Sequence, residues 1–263
     1  MGNPIKGSVA ITSLTGFIEA IESIDAHADV KRRTTGLWFR GIGEKYSKAL
    51  VPSLYRKANL SQYEREMARD FRLRYRGYGI ADRSYIERMS MMQHYGLPTR
   101  LLDWTENALC ALYFACDGKA DKDGVVYVLD PWAFNHHFNP DVISVPTGDS
   151  DALKAYELIE DIVQNPLRTV SSEFPLAFRP NMTNDRIQAQ RGLFTIHGRS
   201  KTPIEVLTKR MRTVEVLWQL AISSKDKTDI RRQLAVTGVT SSTLFPGIQG
   251  LCEEICEHYG RLA

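Results

Sequence analysis

The sequence has no apolar run near the roughly 18 residues that a membrane-spanning helix needs. It also has no Gly-rich P-loop, no dinucleotide fingerprint, no HExxH and no GxSxG. The opening MGNPIKGSVAITS lacks the unbroken apolar stretch of a secretion signal, and Lys6 stands where a myristoylation motif needs Ser or Thr. A cytoplasmic, unanchored protein with no membrane partner is expected. Charge of one sign is also missing: 34 Lys and Arg face 31 Asp and Glu, a net +3 over 263 residues. Nucleic-acid-binding domains concentrate more basic charge than this, so a histone-like role is not supported, whereas a phosphate-bearing partner is allowed. Cysteine is scarce, with Cys110, Cys116, Cys252 and Cys256 in two distant pairs. Reduced thiols in packed helices are expected, because Cys252, Cys256 and His258 form too thin a ligand set for zinc. His136-His137 falls on an Asn/Pro-rich turn with no carboxylate at helical spacing, and no metal is expected.

What is present reads as one α+β domain. Leu14–Ala26 carries Phe17, Ile18, Ile21 and Ile24 on one helical stripe. The basic Lys31-Arg32-Arg33 leads to Gly36–Gly41, a strand bounded by glycines. Residues 61–78 read as a helix with a Ser61/Glu64 capping box, and 83–95 as a second helix stopped by Gly96 and Pro98. Asp103 and Glu106 look like the capped start of a buried helix over 108–116. Gly124 opens VVYVLD, a strand with no polar face that belongs in the middle of a sheet. Helix is expected over 151–164 and a long loop over 167–182. Strands are expected at 192–197 and 214–223, then helices at 228–237 and 249–259. The irregular alternation lacks the βαβ rhythm of a doubly wound sheet.

Three segments combine strong polar groups with apolar or glycine context. In Trp38-Phe39-Arg40-Gly41, an arginine inside an apolar strand is either locked to an internal carboxylate or turned to a ligand carboxylate or phosphate. The block Gln93–Thr105 gathers His94, Tyr95, Arg100, Asp103 and Trp104 around a Gly/Pro bend. Capping accounts for part of Asp103, but not for Gln93, His94 and Arg100 together. Gln188 and Gln190 alternate around Ala189, so as the start of a strand they face one way, towards an amide, a ribose hydroxyl or solvent. Arg65, Arg69, Arg72 and Arg76 make one basic helical stripe, expected to be a solvated face.

These segments resemble the FRG domain family, named for the tripeptide that stands here as Phe39-Arg40-Gly41. The resemblance continues through Leu50–Arg56, the QHYGLPTRLLDWT block, Gly124–Leu129, Gln188–Thr195 and Leu244–Leu251, nearly the whole chain from 35 to 255. Residues 1–34 are set apart as an N-terminal helical segment, with the FRG domain over 35–263. One departure is Ile42, where the family often has Gln. A more distant similarity is to ADP-ribosyltransferases of the Arg-Ser-Glu type. There a first-strand arginine grips NAD, a Ser-Thr-Ser strand runs into a helix, and a glutamate holds the nicotinamide ribose. Arg40, Pro98-Thr99-Arg100 and Gln188-Ala189-Gln190 come in that order here, with Gln190 in the place of the glutamate.

That second resemblance implies an ADP-ribosyltransferase-like fold, a mixed and mostly antiparallel sheet with surrounding helices. It also implies an NAD-dependent effector that modifies a macromolecular acceptor, protein or nucleic acid, as a toxin or in anti-phage defence. Arg40, Asp103 and Gln190 would be its catalytic residues, with Asp103 as base. Arg40, Tyr55, His94, Thr99, Arg100, Trp104 and Gln188 would hold the NAD. Arg40, Thr99, Arg100, Asp103 and Gln190 are expected to converge on one cleft. The alternatives are a non-catalytic nucleotide or nucleic-acid binding module and a nuclease using His94 and Arg100.

Overall fold

The computed structural model describes residues 8–26, 35–57, 59–75, 84–157, 170–181, 185–211 and 215–260. The chain runs β1 (Ser8–Ile11), α1 (Leu14–Ala26), β2 (Trp38–Ile42), α2 (Ser53–Arg56), α3 (Glu64–Tyr75), α4 (Tyr85–His94) and β3 (Leu101–Thr105). It continues through α5 (Ala108–Cys116), β4 (Gly124–Leu129), α6 (Pro131–Phe138), β5 (Leu176–Phe178), α7 (Asp185–Ala189) and β6 (Gly192–Ile196). Last come α8 (Ile204–Lys209), β7 (Leu217–Ile222), α9 (Lys227–Val236), α10 (Ser241–Leu244) and α11 (Ile248–Gly260).

The strands form one seven-stranded sheet in the order β1-β7-β4-β2-β3-β6-β5. Among the described strands only β1 against β7 is parallel, so the sheet is mixed and mostly antiparallel as expected. β4, buried along its whole length, lies between β7 and β2. Its two faces feed different cores. Val126 and Val128 join α1, α5 and α9 through Phe17, Ile24, Leu112 and Ile230, while Val125, Tyr127 and Leu129 meet Phe134 of α6 and Ile204 of α8.

The sheet is not equally knit throughout. β2 follows β4 over five residue pairs, and β3 follows β6 over five. β2 and β3 share a single pair, Phe39 with Thr105, and then part.

Glycine sets how closely α5 approaches. A Cβ on Gly41 would lie 1.7 Å from the Ala111 carbonyl oxygen, and one on Gly124 would lie 2.0 Å from that of Ala115. The last letter of the FRG tripeptide is therefore a packing requirement.

Several local expectations need correction. Asp103 does not cap a helix: Leu101–Thr105 is a strand, and Asn107 caps α5, its Oδ1 accepting from Leu109 N at 3.0 Å and Cys110 N at 3.3 Å. Ser61 forms no capping box, because Leu60–Tyr63 is a 3-10 turn and Glu64 bonds elsewhere. The capping box belongs to Ser84 and Glu87 at the start of α4. Residues 185–189 are helical, so Gln188 and Gln190 do not alternate along a strand. His136 and His137 stand in the last turn of α6, not on a turn. Cys110 and Cys116 are buried in α5, but Cys252 and Cys256 are exposed on α11. The segment set apart as helical also supplies β1, and the expected 167–182 loop contains β5. Of the expected 151–164 helix, Asp151–Tyr156 is a 3-10 turn. Glu157 is extended, and residues 158–164, 31–33 and Arg76 lie outside the described residues.

Candidate functional site

The cleft opens where β2 and β3 part. Past their one shared pair the ladder gives way to a side chain: Arg40 Nη1 donates to the Asp103 carbonyl oxygen at 2.7 Å. The same nitrogen lies 3.6 Å from Asp103 Oδ2. The Asp103 carboxylate is 61% exposed, so this is an open ion pair and not the buried salt bridge that the sequence left as one alternative. Arg40 is only 16% exposed, and its Nε has no hydrogen-bond partner among the described residues. Burial pulls the Arg40 pKa below its ordinary value, against the raising effect of Asp103. A buried guanidinium whose Nε lacks an acceptor retains unused donor capacity.

The cleft encloses about 290 Å³ and is lined by Arg40, Asp103, Gln190, His94 and Trp104 together with Phe39, Gln93, Phe114 and Arg186. Gln93 orients the carboxylate: its Nε2 donates to Asp103 Oδ1 at 2.6 Å, and its Oε1 accepts from the Thr99 hydroxyl. Gln190 lines the same cleft, fixed by three bonds. Its backbone N–H reaches Arg186 O at 3.0 Å, its carbonyl accepts from Thr105 Oγ1 at 2.5 Å, and its Nε2 donates to Leu244 O at 3.1 Å. The side-chain oxygen of Gln190 is thereby left as an acceptor. Arg191, next along, has φ +46°, a left-handed backbone at the turn into β6. His94 has its pKa lowered, first by burial and then by the Arg186 charge. Cys110 is pushed up to about 12 by burial, which makes it a poor nucleophile.

The other candidates stand elsewhere. Arg100 does not line the cleft. Its Nε donates to Glu64 Oε1 at 2.6 Å, its Nη2 pairs with Glu64 Oε2, and Nη1 reaches His197 O at 3.2 Å. Burial opposes the Arg100 charge, but the Glu64 carboxylate outweighs it and holds the pKa above the ordinary value. Thr99 is buried and serves Gln93, with Leu101 N donating to its hydroxyl at 3.2 Å. Tyr55 lies beside His197, its hydroxyl donating to Gly198 O at 3.3 Å. Trp104 lines the cleft but is buried, with its indole N–H on Thr195 Oγ1 at 3.1 Å. Gln188 is exposed on α7 and is not among the lining residues. Of the arginine stripe, Arg69 is exposed whereas Arg65 and Arg72 are half-buried.

Read as the start of a strand, the segment begins at Gln188 and so does not reach Arg186. Read as helix, residues 185–190 place Arg186 one turn before Gln190 and on its side.

Residues 35–124 match the family model of the FRG domain, and the chain carries an FRG domain over that span. The span contains β2, β3 and α5 and so both strands that border the opening; Arg186 and Gln190 lie outside it. No curated protein and no solved structure matches the chain. Among the described residues no group of His, Cys, Asp and Glu is arranged to hold a metal, and no helix is long and apolar enough to cross a membrane.

Proposed function

We propose that the cleft binds NAD and that the chain is a cytoplasmic ADP-ribosyltransferase-like effector that modifies a macromolecule, as a toxin or in anti-phage defence. The observation that carries this reading is the parted β2–β3 seam, where Arg40, Asp103 and Gln190 come together from three distant parts of the sequence. In the proposed reaction the bond between the nicotinamide nitrogen and the ribose carbon breaks, and its electron pair leaves with nicotinamide. Positive charge builds on the ribose carbon. Asp103, the one carboxylate among the described residues lining the cleft, offers the opposing charge from a position fixed by Gln93. The acceptor's lone pair then forms the new bond and its proton passes to Asp103. The Gln190 side-chain oxygen accepts from a ribose hydroxyl, and the open edge of Arg40 takes a phosphate or ribose oxygen. Neither needs a negative charge on Gln190.

The test incubates the folded protein with NAD labelled in the adenosine half and with cell lysate, following nicotinamide release and transfer of label. Release that disappears in Asp103→Asn at unchanged melting temperature supports the transferase. Binding of NAD with no release and no transfer replaces it with a nucleotide-binding module.

A further inference from the structure

Arg186 lines the cleft from α7. Among the described residues no carboxylate oxygen lies within 4 Å of its guanidinium, whereas the Arg40 charge has Asp103 beside it at 3.6 Å. The described lining residues carry two guanidinium groups against one carboxylate. The side chain is nevertheless placed. Its guanidinium carbon lies 4.9 Å from the centroid of the Phe245 ring, and that ring meets Phe114, itself a lining residue, edge-on at 5.9 Å. An aromatic face holds a planar guanidinium while leaving its N–H donors free. Arg186 itself is exposed, so it stands at the rim and not on the floor. The enclosed volume of about 290 Å³ is at the lower end for ligand pockets, which run from about 300 to 1,000 Å³. A dinucleotide-sized ligand has to leave the cleft partway along its length, and the rim is where its middle would emerge.

We propose that Arg186, braced on Phe245, binds the diphosphate of a nucleoside diphosphate sugar whose sugar end lies between Arg40 and Gln190. This rests on the nucleotide reading of the same cleft, but it concerns binding and not bond cleavage. It also gives Leu244-Phe245 a role: the main chain of one anchors Gln190 and the ring of the other anchors Arg186.

The full chain is titrated by calorimetry with ADP-ribose and with adenosine, at low and at moderate salt. Wild type is expected to prefer ADP-ribose, with an affinity that falls as salt rises. Arg186→Gln should weaken ADP-ribose at least tenfold and flatten the salt dependence while leaving adenosine unchanged. Arg186→Lys should keep part of the affinity, because it retains charge without the planar stack. Circular dichroism melting shows whether each variant is folded. The inference is overturned if folded Arg186→Gln binds ADP-ribose like wild type, or if wild type does not prefer ADP-ribose to adenosine. If the binding pattern holds but nicotinamide is never released, only the transferase reading fails. If release persists with an unchanged KM in Arg186→Gln, only the Arg186 assignment fails.

Discussion

Glu64 and Arg100 are joined fork to fork across 36 positions of sequence, with side chains 12% and 6% exposed. Two charges so deeply placed depend on each other. Replacing Arg100 with Met leaves the Glu64 carboxylate uncompensated, and chemical denaturation should show a loss of about 3–5 kcal/mol. Glu64→Gln should give a similar loss. Adding Glu64→Leu to Arg100→Met should recover much of it, since an apolar pair removes both desolvation penalties. Single variants that melt like wild type would mean that solvent reaches the pair.

His197 is fully buried beside Arg100, and among the described residues neither ring nitrogen has a well-formed hydrogen bond. Burial, and then the Arg100 charge, depress its pKa to about 3, with a weaker opposing effect from the Thr202 backbone. In the unfolded chain the ring titrates near its ordinary value of about 6.5. Above that pH both states are neutral and the favourable contribution is complete. Between about 6.5 and 3 the unfolded chain binds a proton that the folded one does not, so stability falls by up to about 1.4 kcal/mol per pH unit. Denaturant midpoints measured from pH 7 down to 4 should drop less steeply in His197→Phe than in wild type. Parallel slopes for the two proteins would contradict the burial argument.

Under the proposed reaction, Asp103 separates activity from stability. As an open partner of Arg40, its charge contributes about 0–1 kcal/mol to the fold. Asp103→Asn should therefore melt within a few degrees of wild type while losing nicotinamide release at least a hundredfold. Arg40→Lys keeps the charge but cannot bridge the seam with the same planar geometry, and NAD affinity should fall at least tenfold. Early melting of Asp103→Asn would return this residue to a structural role.

Gly41 and Gly96 test two different uses of glycine. Gly41→Ala forces a methyl group into the Ala111 carbonyl and should cost about 3 kcal/mol, the upper end of overpacking penalties. Gly96 has φ +85° and open space around its would-be Cβ. Gly96→Ala should cost only about 1–2 kcal/mol of backbone strain. Equal losses for the two would refute the close helix–sheet approach.

The sequence made β2, β4 and α5 legible because burial on both faces leaves long apolar runs between glycines. It misled at Leu101–Thr105, where Asp and Glu three apart imitate a helix start while the apolar residues around Asp103 serve two sheet faces. Arg40, Asp103 and Gln190 were readable as polar interruptions in apolar or glycine context. Arg100 carried the same local signature, and its partner Glu64 is too distant in sequence for any local pattern to pair them. Arg186 stayed hidden ahead of Gln188, where a five-residue helix is too short to display a period.

The route of the chain across the seam decides which fragments can stand alone. β1, β2, β4 and β7 lie on one side and β3, β5 and β6 on the other, so the backbone crosses four times between residues 42 and 217. The span that matches the FRG family ends at residue 124, where β4 begins. Cut there, β2 loses the strand that pairs with all five of its residues, and β3 loses β6 in the same way. Each would keep one rung of ladder, the bridge between Phe39 and Thr105. The recognisable signature of this protein is thus an inseparable inlay: it holds the bordering strands of the cleft, and neither of the strands that they are paired with.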